Sequence, residues 1–82
     1  MEENLINIIN PKIKDLNVWV DSIKIEKEEN EQYLRIALDA DFIIDLNTVV
    51  KATRIINPIL DNENIEIENY ILDVYAKPKG DK

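Results

Sequence analysis

The sequence predicts an α+β fold, a two-layer sandwich in which two helices pack on one face of a three-stranded sheet. Segments with helical and strand periodicity follow one another in the order helix, strand, strand, helix, strand. The chain has 82 residues, 45% of them hydrophobic, with one glycine and three prolines. A chain of this size and composition forms a single core, so we predict one compact domain without a long flexible linker.

The first helix is indicated by an apolar stripe at helical spacing, formed by Leu5, Ile9, Ile13 and Leu16. Pro11 leaves two alternatives open. Either a short helix begins at Pro11 with Asn10 as its N-cap, or a longer helix is kinked at the proline. Asn17 tolerates the left-handed conformation and is expected to end the helix.

Two strands follow and are predicted to form an antiparallel hairpin. Residues 18–26 alternate between apolar and polar side chains, but the phase slips near Asp21 and Ser22, which predicts a bulge. A charged tip at residues 27–32 leads to residues 33–39, where the alternation is regular. The second strand therefore has one apolar face and one face that carries its polar residues.

The second helix begins after Asp45, whose carboxylate can accept backbone N–H bonds at the positive end of the helix dipole. Its buried stripe is predicted to consist of Val49, Ala52, Ile56, Ile59 and Leu60. Leu46 and Thr53 fall at the margin of this stripe. Pro58 falls on the solvent side, where the carbonyl that it leaves unbonded can bond water, so we expect the helix to continue through it.

Residues 69–76 are predicted to form the third strand, and residues 77–82 a polar tail. If both helices lie on one face of the sheet, the other face is open. Trp19 and Tyr75 are candidates for an exposed apolar patch on that face. Such a patch indicates an interface, unless it reflects the ordinary partial burial of a small sheet.

Charge and residue types exclude several functions. The chain has 17 acidic and 10 basic residues and a net charge of −7, which disfavours binding to phosphate backbones and favours a basic protein partner. The alternative is that the acidity only keeps the domain soluble. The chain has no cysteine or histidine, and its single serine and glycine are Ser22 and Gly80. We therefore expect no disulfide, cofactor, metal site or enzymatic activity.

Asp39, Asp41 and Asp45 form the pattern D-x-D-x-x-x-D, which invites comparison with a calcium loop. A helix-loop-helix calcium loop needs an oxygen ligand where Ile43 stands and a glycine where Ile44 stands. The calcium interpretation therefore fails, and these carboxylates are interpreted as a helix cap, as surface charges or as contacts to a partner.

Three segments carry a resemblance to a known family. They read "INPKIKDLNVWVDSIKIEK" at residues 9–27, "YLRIALDADFIIDLNTVVKATRIINPILD" at 33–61 and "YILDVYAKPKG" at 70–80. In order and spacing they resemble the N-terminal domain of the RimP family of bacterial ribosome maturation factors. The resemblance implies that residues 1–76 form a RimP-like α+β domain. It also implies that residues 77–82 are a polar tail or the start of a linker to the family's C-terminal β-barrel domain, which is missing from these 82 residues.

The sequence departs from the family pattern at two places. The paired glycines usual before the second helix are replaced by Phe42 and Ile43, which predicts a different loop conformation or a loop anchored in the core. The family's Ser-Ser-Pro-Gly motif after the third strand reads only "YAKPKG" at residues 75–80. The function of that motif is therefore not carried over to this chain.

The resemblance implies a factor that assists assembly of the small ribosomal subunit by binding the immature subunit and a basic ribosomal protein of its decoding region. An acidic surface can attract such a protein and compete with its premature contact with RNA. We expect a cytoplasmic monomer without membrane contact or sequence-specific nucleic-acid binding, since the acidic start lacks signal-peptide features. The candidate partner-binding residues are Asp39, Asp41, Asp45, Asp61, Glu63 and Glu66.

Two other functions stay open. The chain is a stand-alone acidic protein-interaction or regulatory module without a ribosomal role, or the open sheet face binds single-stranded RNA. The RNA function is disfavoured by the negative charge and by an aromatic content of only 6%. Among the candidate carboxylates, Asp45 is better explained as a helix cap than as a partner contact.

Overall fold

The computed structural model describes residues 2–63, 65 and 67–79. Its elements confirm the predicted α+β class and the predicted order of helices and strands, with one additional 3₁₀ turn. In chain order the elements are α1 (Glu2–Ile13), the 3₁₀ turn (Lys14–Leu16), β1 (Val18–Glu28), β2 (Glu31–Ala40), α2 (Leu46–Asn62) and β3 (Tyr70–Ala76).

The sheet is mixed, with strand order β1-β2-β3. The β1 and β2 strands are antiparallel, whereas β3 runs parallel to β2 on its other side. Two consecutive parallel strands need a crossover connection, and α2 provides it between β2 and β3. The predicted bulge is confirmed: Val20 pairs with Leu38 and Ser22 pairs with Ala37, which leaves Asp21 as the extra residue.

The hairpin tip is shorter than predicted. Glu28 pairs with Glu31, so only Glu29 and Asn30 form the loop, and the charged segment around them extends both strands. Glu29 has a φ of 57°, which is the left-handed conformation that a tight two-residue loop demands. Glu26, Glu28 and Glu31 fit in the strands because the register places them on the face of the sheet that no helix covers.

In α1, the longer of the two predicted helices is present. The helix runs through Pro11, and Asn10 is not its N-cap. The side-chain oxygen of Asn10 instead accepts a hydrogen bond of 2.7 Å from the backbone N–H of Val20, beside the bulge of β1. Asn17 ends the 3₁₀ turn with a φ of 61°, and its N–H donates to the carbonyl of Lys14, as a left-handed stop requires.

The core lies between the helices and one face of the sheet. Helix α2 runs through Pro58, which is exposed as predicted, and the hydrophobic surface of α2 faces the strands. Ile65 and Ile67 of the connector also pack against this core. The buried core residues are Leu5, Ile9, Ile13, Val18, Val20, Ile23, Leu34, Ile36, Leu38, Ala40, Ala52, Ile56 and Leu60.

The start of α2 departs from its predicted burial. Val49 is only half-buried, and Leu46, placed by its spacing at the margin of the buried stripe, is 78% exposed. The loop before the helix is anchored in the core by Ile44, the only residue of 42–44 that packs against the core. The first turn of α2 is therefore less buried than the later turns, which contribute Ala52, Ile56 and Leu60 to the core.

The other face of the sheet is not covered by any element in the described part of the chain. Trp19 and Tyr75, the predicted candidates for this face, lie there: Trp19 is 39% exposed and Tyr75 is half-buried. The backbone N–H of Lys77 continues the pairing beyond β3 by donating to the carbonyl of Leu38. The predicted tail is thus held to the end of β2 through its first residues, while residues 80–82 lie outside the described part.

Candidate interaction surfaces

Three of the candidate carboxylates lie where β2 leads into α2, at residues 39–50, which we call the α2 entrance. Asp45 is the N-cap of the helix, as its position predicted: its carboxylate accepts a 2.9 Å hydrogen bond from the backbone N–H of Thr48. Hydrogen bonds from the Thr48 side chain and backbone lower the pKa of Asp45, and the charge of Lys51 adds a smaller contribution. Asp45 therefore has a structural role at the entrance.

Asp39 is occupied by contacts within the chain. Its carboxylate accepts a 2.8 Å hydrogen bond from the N–H of Ala40, and the ammonium groups of Lys79 and Lys77 lie 3.2 and 4.0 Å away. The Ala40 N–H, followed by Lys79, lowers the pKa of this carboxyl group. Lys79 also donates to the Ala40 carbonyl. These partners could not be predicted from the sequence, because they lie 38 and 40 positions after Asp39 in the chain.

Asp41 is exposed and lies at the edge of a shallow groove of about 660 Å³ between α1 and the start of β1. Amide side chains, Lys14 and Trp19 line the same groove. No salt bridge to Asp41 occurs within residues 2–63, 65 and 67–79. Asp41 thus presents its negative charge to solvent.

The most exposed hydrophobic side chains of the described residues also lie at the α2 entrance. Ile43 and Leu46 are 82% and 78% exposed, and they are joined by Phe42 at 40% and Val50 at 37%. Leu46 and Val50 are one helical turn apart and share a side of α2. We call these four residues the entrance patch. The sequence signalled it only through Phe42 and Ile43, which replace glycines of the family pattern.

Two of the remaining candidate carboxylates lie at the other end of α2. Asp61 and Glu63 are both exposed, and Glu66 lies outside the described residues. A 17-residue helix is about 25 Å long, so these residues are separated from the entrance by the length of α2. Burial, and to a smaller degree the charge of Asp61, raise the pKa of Tyr70 at the start of β3. The structure thus places the candidates in two groups and does not bring them together.

The open sheet face is organised around Arg35, which sequence reasoning did not single out. The guanidinium lies 2.5 Å from Glu26, 3.1 Å from Glu28 and 3.0 Å from Asp73, measured between side-chain nitrogen and carboxylate oxygen. Its central carbon is 4.4 Å from the centre of the Tyr33 ring, a cation–π distance. The register explains this cluster. Arg35 pairs with Asp73 on β3 and lies diagonally opposite Glu26 on β1, two positions from its own partner Lys24 and on the same face of the sheet.

The contacts of this cluster shift the pKa values of Glu28 and Arg35. Hydrogen bonding and the charge of Arg35 lower the pKa of Glu28, and the carboxylates, Glu28 foremost, raise the pKa of Arg35 above its usual range. The pairing of Arg35 with Glu28 therefore favours the charged form of both groups. The open face is therefore a charge-paired surface with apolar side chains at its margins.

Neither a metal-binding cluster nor a membrane-crossing helix is found in the described residues. They contain no cluster of three or more acidic, histidine or cysteine side chains arranged to hold a metal ion. None of the helices found in them combines the length and the apolar character needed to cross a membrane.

Fold and surfaces define a small α+β domain whose conspicuous features are exposed patches and charges. A family model described as the RimP N-terminal domain matches residues 8–76. The chain therefore belongs to the RimP N-terminal domain family, as the resemblance predicted. Membership implies a role in ribosome maturation and a ribosome-related partner, and RimP is not a known enzyme family.

Proposed function

We propose that this domain assists assembly of the small ribosomal subunit by binding the immature subunit and a basic ribosomal protein, without a reaction of its own. The family match over residues 8–76 is the observation that carries the proposal. The net charge of −7 supports a basic protein as the direct partner, because opposite charges speed the encounter of two proteins and orient it. Such a factor acts in the cytoplasm, where subunits are assembled.

The carboxylates are expected to contribute unequally to partner binding. Asp41, Asp61 and Glu63 are exposed, so their charges are available to a cationic partner. Asp39 contributes less, because Lys77 and Lys79 already lie against its carboxylate. We propose that the domain holds the basic protein by these charges and thereby competes with its premature contact with ribosomal RNA.

An NMR titration of the labelled domain with the purified basic ribosomal protein tests the role of the carboxylates. At low salt we expect shifts around residues 39–45 and 61–68. The double variant Asp41→Asn/Glu63→Gln should bind more weakly than Asp15→Asn/Glu29→Gln, which removes the same charge from exposed sites outside both groups. Equal affinity of the two variants, or no shifts in these segments, would show that the carboxylates do not bind the partner.

Sedimentation separates the ribosomal role from the alternative of a stand-alone regulatory module. In a sucrose gradient with immature small subunits, the domain is expected to migrate with the subunit peak. A free module stays at the top of the gradient. Migration at the top under low salt, with the basic protein present on the subunit, would contradict the proposed function.

A further inference from the structure

The entrance patch is an apolar surface that the described part of the domain leaves uncovered. Ile43 and Leu46 each keep about four-fifths of their side-chain area in water. The patch also includes four of the seven large hydrophobic residues that are exposed in the described chain, all within nine consecutive positions. Soluble domains rarely concentrate exposed apolar side chains in this way unless the surface contacts a partner.

The charges around the patch select the kind of partner. Residues 39–50 contain three aspartates and no lysine or arginine. Asp41 and Asp45, which directly precede Phe42 and Leu46 in the chain, have no salt bridge among the described residues. Asp45 uses one carboxylate oxygen for its cap, and a carboxylate retains further acceptor sites. A cationic partner therefore finds two available carboxylates beside an apolar surface.

Other occupants are disfavoured by the same charges. A second copy of the chain would bring a net charge of −7 against another −7 and set Asp41 and Asp45 of both copies near each other. An RNA backbone or an anionic membrane would meet the same repulsion. Charge complementarity leaves a basic protein segment as the occupant that fits.

We propose that the entrance patch docks a basic segment of the protein partner: one apolar side chain of the segment packs on Ile43 and Leu46, and neighbouring lysines or arginines pair with Asp41 and Asp45. The inference rests on the proposed function. It adds where the basic protein binds and which side chains contribute affinity and which contribute association rate. The apolar contact holds the complex together, whereas the carboxylates speed association and set the orientation.

The affinity of the 82-residue chain for the purified basic ribosomal protein tests the apolar contact. The variant Ile43→Ser/Leu46→Ser is expected to bind about tenfold more weakly, in line with the loss of a central apolar anchor. The matched control is Ile25→Ser/Ile71→Ser, which removes two isoleucines that are 44% and 41% exposed outside the patch, and it should bind within about twofold of the unaltered chain.

Kinetics and salt separate the two contributions. The patch variant should dissociate faster and retain the salt dependence of the unaltered chain. The variant Asp41→Asn/Asp45→Asn should associate more slowly and lose part of its salt dependence. Asparagine is chosen at position 45 because it preserves a capping oxygen. Circular dichroism melts of each variant verify that the domain is still folded.

The outcomes distinguish this inference from the function on which it rests. If the unaltered chain binds the ribosomal protein and the patch variant binds equally well, the docking site is wrong and the proposed function stands. If the unaltered chain does not bind at low salt, both are wrong. Analytical ultracentrifugation tests the remaining occupant. If the unaltered chain is a dimer and the patch variant is a monomer, the patch binds a second copy of the chain and the inference is wrong.

Discussion

The α2 entrance and the open sheet face both expose apolar and charged side chains, yet they differ in what these side chains already contact. On the sheet face, Arg35 joins three carboxylates and a tyrosine ring. At the entrance, Ile43 and Leu46 project into water beside Asp41, for which the described residues provide no cation. Exposure alone therefore does not mark a binding surface; the absence of partners within the same domain does.

The difference arises from the backbone beneath each surface. Neighbouring strands lie about 4.8 Å apart, so side chains on one face of a sheet meet across the register and can satisfy one another. The entrance patch lies on a loop and on the start of a helix. None of its residues is paired in a strand, so no sheet register sets a side chain opposite them. Three predictions test this contrast.

The largest effect is expected from one substitution made at two places in α2. Leu60→Ala should lower the free energy of unfolding by about 3 kcal/mol, because Leu60 is 1% exposed and its truncation leaves a cavity. Leu46→Ala should cost less than about 0.5 kcal/mol, since Leu46 is 78% exposed. Urea unfolding measures both. If Leu46→Ala lowers the free energy of unfolding as much as Leu60→Ala does, Leu46 is packed in solution. The entrance patch would then not differ from the rest of the domain in lacking contacts.

An intermediate effect is expected from Arg35→Gln on the sheet face. The substitution leaves Glu26, Glu28 and Asp73 close together without their cation, so the melting temperature at pH 7 should fall by several degrees. Lys24→Gln is the matched control: it removes the same charge from the residue that pairs with Arg35 across the sheet, and it should change the melting temperature less.

The pH dependence of the Arg35 effect has a defined sign. Arg35 lowers the pKa of Glu28 in the folded state below its ordinary value of 4.5. The resulting stability is present above pH 4.5 and is lost as the pH falls through the lowered folded-state pKa. The melting temperatures of the unaltered chain and Arg35→Gln should therefore converge towards pH 3. A constant difference between pH 7 and pH 3 would exclude the carboxylates as its source.

The smallest effect concerns Asp45, the entrance residue that has an internal contact. Asp45→Ala removes the acceptor for the Thr48 N–H, so the first turn of α2 should open more often. Asp45→Asn should have a weaker effect, because its amide oxygen can still accept that bond. Hydrogen exchange of the Thr48 amide measures the opening directly. Exchange in Asp45→Ala as slow as in the unaltered chain would show that the cap does not hold the helix start.

Residue patterns predicted most of the fold correctly. The alternation in β2, the phase slip at Asp21, the stop at Asn17 and the tolerance of Pro58 are all properties of local periodicity and local backbone geometry. The sequence predicts these features because each depends on residues only a few positions away in the chain. The family match followed from the same linear order of segments.

The contacts at the candidate surfaces could not be predicted from the sequence. The pairing of Asp39 with Lys77 and Lys79 depends on β3 lying parallel to β2, which brings the tail to the end of the central strand. The three-carboxylate contact of Arg35 likewise depends on register across two strand pairs. Spacing along the chain carries no information about either contact, because it does not fix the strand order.

The sequence by itself determined the elements, their order and the family, since periodicity, caps and turn residues act over short chain distances. Only the tertiary structure decided which charges are neutralised and which apolar residues stay in water. Leu46 shows the reason: its helical spacing places it beside a buried stripe, yet it is 78% exposed in the folded domain. Burial depends on what lies opposite a side chain, and that is a property of the packed layers rather than of the helix.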